Sequence, residues 1–497
     1  MDRTLILEWI SLSSLAHLVA AGVATWHVLQ QRREASSALF WLMGVWSFPF
    51  LGVTGYLFFG IHRVPEKAWK RRNAMEAFGR ERTAREEAEL SAVYWRAMNS
   101  SVATERIPPG ATRVNRTLNS LLPDFPLLGG NRLDLLQNGD EAYPAMLEAI
   151  HSARHHIHLQ SFILANDGVG KKFLDALLER ARAGVEVRVL IDRFGSTPAV
   201  VSGFLRHWKN RSPRMRLASW SQADPLKRQF QLHLRNHRKT LIVDGCTAFT
   251  GGINLSEENQ SVPTRPAIQD LQVRVKGPVV QELQYSFLSD WSFMTGESAD
   301  RLLCPEHFPT LPSEDGMLAR IIPGGPDVLQ DVIADSLFAC IRVAQRQILA
   351  TTPYFIPTPD LLRALRIAAL EGIDVRIVVP RLNNHWYAGY AGAALYEELL
   401  DSGVRLYERN PPFLHTKAMV VDDELSVVGT ANLDARSLRL NYETNLLVID
   451  SDFAGRVKQQ ILEELGQSRE LSPEIWRKRS AIRRMLENAC SLIAPAL

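Results

Sequence analysis

Two stretches of the chain carry residues suited to phosphoryl chemistry. One reads HRKTLIVDGCTAFTGGIN and supplies His237, Lys239, Asp244, Gly251-Gly252 and Asn254. The other reads FLHTKAMVVDDELSVVGTAN and supplies His415, Lys417, Asp422, Gly429-Thr430 and Asn432. Every one of these positions recurs 178 residues downstream, as His237 to His415 and Asn254 to Asn432 show. One register kept over five positions marks two halves of a single active site. Residues two apart in an extended segment share a face, so each half presents an imidazole with an ammonium. The glycines let the backbone turn closely, which returns each asparagine toward its histidine.

Two facing patches of this kind suit a phosphodiester. Lysines and amides neutralise the phosphoryl oxygens, where charge develops in the transition state. One neutral histidine attacks phosphorus and the other, protonated, donates to the leaving oxygen. An imidazole pKa near 6.5 serves either role, and a covalent phosphohistidine divides the displacement into two steps. The residues leave open which histidine attacks. No metal-ligand cluster is evident, so neither a metal nor another cofactor is expected. His151, His155, His156 and His158 span a helix end and a strand start, and their side chains are expected to diverge. Each catalytic histidine needs its other nitrogen held. Glu443 is the expected orienter of His415, and Asp270 that of His237. Asp244 and Asp422 complete the two catalytic triplets in sequence, but each stands at a turn and is read as bracing it.

The elements around these residues alternate between strand and helix patterns, which predicts an α/β fold. The first half has a helix over 140–153, a strand over 157–164, a helix over 172–183 and a strand over 185–191. The second half repeats the scheme with strands over 347–355 and 373–379 around a helix over 359–370. The long offset implies one duplicated α/β unit, not a short solenoid repeat. A strand over 445–449 and a basic helix over 476–488, expected to be solvated, complete the chain.

The first sixty residues differ in character. Segment 10–29 is mostly apolar, and 39–61 carries no charge. Roughly 20 apolar residues span a bilayer, so a transmembrane helical hairpin is expected over 1–62. Pro49 is tolerable in a membrane helix. Arg3, Arg63, Lys67, Lys70, Arg71 and Arg72 outweigh Arg32 and Arg33 of the connecting loop, which predicts that both ends and the catalytic part face the cytoplasm. A charged helical linker is expected over 63–125. The two half-domains are expected over 126–310 and 311–497. The net charge of +3 argues against a nucleic-acid partner. The four scattered cysteines suggest no disulfide framework.

At the doubled motif the sequence resembles the phospholipase D superfamily, and more closely its bacterial cardiolipin synthases with an N-terminal hairpin. Further matching stretches are Gly130-Asn131, Gly324 to Asp327, Thr352-Pro353-Tyr354-Phe355, Tyr396 to Val404 and Asn432 to Leu438. The resemblance implies two pseudo-symmetric halves sharing one site. It implies transfer of a phosphatidyl group from one phosphatidylglycerol to another at the bacterial inner membrane, giving cardiolipin and glycerol. It implies His237 as nucleophile and His415 as acid/base, with Lys239, Asn254, Lys417 and Asn432 on the phosphate. Tyr354 lines either a lipid pocket or the core. The sequence departs from the family before Asp270, with Ile268-Gln269, and at Gly252, where the second copy has Thr430. That second departure suggests a hydroxyl contact to phosphate on one side only. The rival activity is hydrolysis of phospholipid, or of nucleic acid, with water as acceptor. A non-catalytic scaffold is disfavoured because both motifs are complete.

Overall fold

The computed structural model describes residues 3–30, 35–48, 50–57, 74–84, 107–208, 211–220, 223–224, 229–230, 235–309, 311, 316–326 and 329–492. The basic flank from Arg63 to Arg72, the loop arginines Arg32 and Arg33, Asp327 and much of the charged linker lie outside the described residues. The chain divides into two compact units, Met1–Trp69 and Lys70–Leu497.

In the first unit, α1 (Arg3–Gln30) packs against α2 (Ala35–Ser47), and α3 (Leu51–Gly55) follows. Ala21, Ala24, Val28, Val45 and Tyr56 form a small core. His27 Nδ1 lies 2.6 Å from the Tyr56 hydroxyl, and Trp46 Nε1 donates to Thr25 Oγ1 at 3.0 Å. Of the second expected span, 39–61, residues 49 and 58–61 lie outside the described residues, and the described part falls into two helices. α2 ends at Ser47, two residues before Pro49 in the sequence, a residue type that supplies no N–H to a helix. Phe50 then has φ 60°. Among the described residues no helix is long and apolar enough to cross a membrane. The hairpin nonetheless exposes Val19, Val23, Trp26, Leu29, Phe40, Met43 and Leu51.

The second unit contains nineteen strands among its described residues. In chain order these begin with β1 (Leu128–Gln137), β2 (His156–Ser161), β3 (Glu186–Asp192), β4 (Met215–Trp220), β5 (Ala223–Asp224) and β6 (Gln229–Phe230). Next come β7 (Thr240–Val243), β8 (Thr247–Gly251), β9 (Leu271–Lys276), β10 (Met317–Gly324), β11 (Gln347–Thr351), β12 (Phe355–Ile356) and β13 (Asp374–Pro380). The last are β14 (Arg405–Arg409), β15 (Ala418–Val421), β16 (Leu425–Gly429), β17 (Leu433–Asp434), β18 (Glu443–Ile449) and β19 (Ser468–Glu470). Fifteen of them form one sheet in the order β19-β14-β13-β11-β15-β16-β18-β10-β1-β9-β8-β7-β2-β3-β4. Outward from the central β10–β1 pair, β18 answers β9, β16 answers β8, β15 answers β7 and β11 answers β2. The duplication read from the motifs is therefore a two-fold symmetry of the sheet.

Helices cover both faces, which is why β11, β15 and β18 carry continuous apolar runs. On one face the helices Val279–Thr295 and Ser451–Gly466 contribute to a single core shared by the halves, with Trp291, Phe287, Phe453 and Val457 at its centre. On the other face each half has its own core. Helices Asn138–Ser152 and Gly168–Arg182 serve the first, and Val332–Ile341 and Pro359–Leu370 the second. The described helix at 74–84 is fixed by Arg82, which donates to both oxygens of buried Glu282 at 3.0 and 3.1 Å and stacks 3.9 Å from the Tyr285 ring.

The histidines of β2 depart from expectation. His156 and His158 are two apart on one strand and so share a face. Their rings lie 4.7 Å apart, with His307 4.6 Å from the first and 5.0 Å from the second. Among the described residues no group of three or more ligating side chains is placed to hold a metal ion. Burial pushes His156 down to about 3, while for His307 burial is outweighed by hydrogen bonding to Cys304 and Glu186, which raises it to about 9.

Candidate active site

The site forms where the two halves meet, and backbone pairing across that seam builds it. The segment entering His237 runs parallel to the segment entering Glu443. His237 N donates to Tyr442 O at 2.8 Å, and Tyr442 N donates to Arg235 O at 2.9 Å. The symmetric partners do the same: His415 N donates to Gln269 O at 2.7 Å, and Gln269 N to Phe413 O at 2.9 Å. Each histidine is thereby placed beside the carboxylate of the opposite half.

This corrects the expected pairing. Glu443 holds His237, its oxygens 2.9 and 3.0 Å from Nδ1. Asp270 holds His415, with Oδ2 2.6 Å from Nδ1. Both carboxylates are buried, at 0% and 2% exposure. With Nδ1 engaged, Nε2 is the ring atom left for chemistry in each half.

The lysines lie under the histidines. Lys239 Nζ donates to His237 O at 2.8 Å, and Lys417 Nζ sits 2.9 Å from His415 Nδ1 and 4.0 Å from Asp270 Oδ2. Burial lowers Lys239 to about 7 and Lys417 to about 8. An arriving phosphodiester supplies the negative charge that favours their ammonium forms. Burial, reinforced by Lys239 and Lys417, holds His237 well below the usual imidazole range. Burial and Lys417 bring His415 down to about 4, with Asp270 pulling the other way. Burial raises Glu443 to about 7; Asp270 stays below its usual value because Lys417 and His415 outweigh its burial. The first pair thus favours a neutral imidazole, and the second supports a charged one more readily.

Asn254 and Asn432 are both buried and are held by different tethers. Asn254 Oδ1 accepts from Ile163 N at 3.3 Å, and Asn432 Nδ2 donates to Ser437 Oγ at 3.1 Å. Asp244 and Asp422 do not belong to the catalytic set. Each ends a four-residue strand, roughly 13 Å from the histidine end. Asp244 (φ 53°) with Gly245 (φ 62°), and Asp422 (φ 54°) with Asp423 (φ 63°), make the positive-φ hairpin turns. Asp244 accepts from the backbone N–H groups of Arg154, His155 and His156 at 2.8–2.9 Å. Asp422 accepts from those of Gln345, Arg346 and Gln347 at 2.6–2.9 Å. These aspartates tie each hairpin to the start of its neighbouring strand.

The asymmetry at Gly252 and Thr430 also has a different meaning from the one expected. Thr430 Oγ1 donates to Glu443 Oε2 at 2.5 Å, so its hydroxyl serves the carboxylate and not a phosphate. A Cβ on Gly252 would stand 2.1 Å from Asp270 Oδ1. Both positions therefore abut the orienting acid: one bonds it, the other gives it room. Gly252→Ala is expected to push Asp270 off His415 and reduce kcat by about 10²-fold, the scale of an ångström's misplacement. Circular dichroism should show the fold retained; near-normal turnover would refute this role.

Several supporting residues had no sequence signal beyond adjacency. Asn441 Nδ2 donates to Glu443 Oε1 at 3.1 Å. Arg238, between the motif histidine and lysine, reaches away from the site to Glu443 O, Asp290 and Gly324 O. Asp192 Oδ2 accepts from Asn236 N at 2.8 Å and so fixes the residue before His237.

Residues 146–291 and 337–465 match the family described as cardiolipin synthase, phospholipase D-like domain, which is more than half of the chain. The chain belongs to this family. Residues 19–60 match the family described as phospholipase D-nuclease N-terminal. Among its relatives, a cardiolipin synthase of Geobacillus thermodenitrificans is 34% identical, covering 94% of this chain and 90% of the relative. Cardiolipin synthase A of Pseudomonas syringae is 33% identical over 97% of each chain. The major cardiolipin synthase of Bacillus subtilis is 32% identical over 95% of each. In fold, the chain is similar to a phosphatidylserine synthase of Haemophilus influenzae, with a TM-score of 0.58 at 16% identity, over 78% of this chain and all of that one.

Proposed function

We propose that this family member is a phosphatidyltransferase that converts two phosphatidylglycerol molecules into cardiolipin and glycerol. The observation that carries the reading is the pair of histidines, each held at Nδ1 by the other half's carboxylate, above two buried lysines. His237 Nε2 attacks the donor's phosphorus. The bond from phosphorus to the head-group glycerol breaks, and that oxygen takes a proton from His415 Nε2. Glycerol leaves and a phosphatidyl-histidine remains. The terminal hydroxyl of a second phosphatidylglycerol then gives its proton to His415, and its oxygen attacks phosphorus. The phosphorus–nitrogen bond breaks, releasing cardiolipin and restoring neutral His237. Lys239, Lys417, Asn254 and Asn432 bind the phosphoryl oxygens through both steps.

His237 takes the nucleophile's role because its pair with Glu443 favours the neutral ring. His415 takes the acid's role because ionised Asp270 compensates its charge, and the bound phosphodiester adds to that effect. The exposed apolar surface of α1 and α2 supports insertion of residues 1–62 into the inner membrane. Residues 63–125 then act as linker, with 126–310 and 311–497 as the paired halves on the cytoplasmic side. Purified full-length protein reconstituted with phosphatidylglycerol is expected to release cardiolipin and glycerol in equal amounts. Phosphatidic acid as the sole lipid product would replace this reading with hydrolysis.

A further inference from the structure

The C-terminal helix Ala481–Ser491 is packed with its apolar side outward. Ile482, Met485, Leu486 and Ala489 fall at i, i+3, i+4 and i+7, the spacing of one helix face. In a helix serving a core, that face is buried. Here Ile482 is 69% exposed, Met485 62% and Leu486 42%, while the side turned inward holds Glu487 at 0% and Cys490 at 8%. Polar contacts do much of the anchoring: Glu487 accepts from Arg479 at 2.8 Å and from Arg483 at 3.0 Å. Cys490 packs on Ala388 and Ala391 of the helix Trp386–Ala393. That neighbouring helix extends the surface, with Leu382 and Trp386 also largely exposed. Trp386 and Arg483 border the same cleft. The basic helix expected over 476–488 is thus two helices, Pro473–Arg477 and Ala481–Ser491, with Ser480 capping the second. It is not simply a solvated one.

We infer that this face docks the catalytic unit onto an anionic bilayer. Between Pro473 and Leu492 stand five basic residues against two acidic ones. Lys478 and Arg484 are exposed and make no ion pair among the described residues. An outward apolar stripe with basic flanks and an adjacent tryptophan is the composition of an interfacial helix. Each lysine or arginine near anionic headgroups adds to the attraction. A second copy docked through the same face would bring two basic patches together, which disfavours self-association.

The surface lies beside the site. A Cβ on Gly392, in the helix Trp386–Ala393, would stand 2.6 Å from Phe355 O of β12. β12 pairs with β17, which begins directly after Asn432. Tyr354 OH donates to Asn384 Oδ1 at 2.7 Å, and Leu433 N donates to Thr352 Oγ1 at 3.1 Å. Docking here holds the phosphate-binding asparagine next to the headgroup layer.

The inference rests on the proposed function for its choice of a lipid partner, and its test reads binding apart from turnover. Full-length protein carrying Leu486→Cys on a Cys246→Ser background is labelled with an environment-sensitive fluorophore. It is then reconstituted in vesicles of phosphatidylglycerol and phosphatidylcholine. The label is expected to shift to the blue and to be quenched by brominated lipid. Lys478→Glu with Arg484→Glu is expected to weaken that quenching. A water-like spectrum without quenching overturns the proposal, as does energy transfer between labelled copies without lipid quenching. Ile482→Asp with Met485→Asp is expected to lower turnover on vesicles about tenfold and to leave turnover of monomeric short-chain phosphatidylglycerol unchanged. Equal loss on both substrates also overturns it. Absence of cardiolipin with quenching intact overturns the proposed reaction and leaves the docking standing.

Discussion

His237→Ala and His415→Ala each reduce cardiolipin formation by at least about 10⁴-fold, the upper end of what a positioned proton transfer contributes. The two losses have different causes, and a substrate with a good leaving group separates them. A nitrophenyl ester of phosphatidic acid needs no acid to expel its aryl oxide. With it, His415→Ala should still give a burst of nitrophenol and a phosphatidyl group on His237. His237→Ala should give neither. The direction follows from the environments: burial and two lysines hold His237 well below the usual imidazole range, whereas Asp270, 2.6 Å from His415 Nδ1, offsets part of the burial that lowers His415. A burst from His237→Ala with none from His415→Ala would reverse the roles.

Glu443→Gln and Asp270→Asn carry the next largest effects, and their pattern tests the crossed pairing. Each change keeps the side chain's size but removes the negative charge and turns one acceptor oxygen into an NH2 donor, so the ring can be held in the wrong tautomer. Losing such an orienting carboxylate costs up to about 10⁴-fold in a comparable triad. Glu443→Gln should slow the nitrophenol burst by about 10²–10⁴-fold, because His237 loses the carboxylate charge 2.9 Å away. Asp270→Asn should leave that burst almost intact and slow turnover of phosphatidylglycerol instead. Pairing within halves predicts the opposite assignment, so one stopped-flow comparison separates the two arrangements.

The sequence carried the site's inventory because the duplication repeats five residue types in one register. It also carried the elements: the helix over 359–370 coincides with Pro359–Leu370, and the strand over 373–379 with Asp374–Pro380 to within a residue. It did not carry the pairing of acid with histidine. Sequence distance made Glu443 the natural partner of His415, but proximity in the fold is set by the parallel bridges Asn236–Tyr442 and Gln269–Leu414. Nothing local to either strand encodes those long-range contacts. Thr430 was visible as a departure, yet its target depended on where Glu443 folds. The exposed stripe on Ala481–Ser491 was hidden for a related reason. Amphipathic spacing tells which residues share a face, and only packing tells which face is inward.

The crossed carboxylates also bear on how the protein is made. The first motif leaves the ribosome some two hundred residues before Glu443. Until then the chain has a complete His–Lys pair but no carboxylate at His237 Nδ1. A chain that stops short of Glu443 lacks it too. The first half-site is therefore unfinished until a residue about two hundred positions downstream is in place.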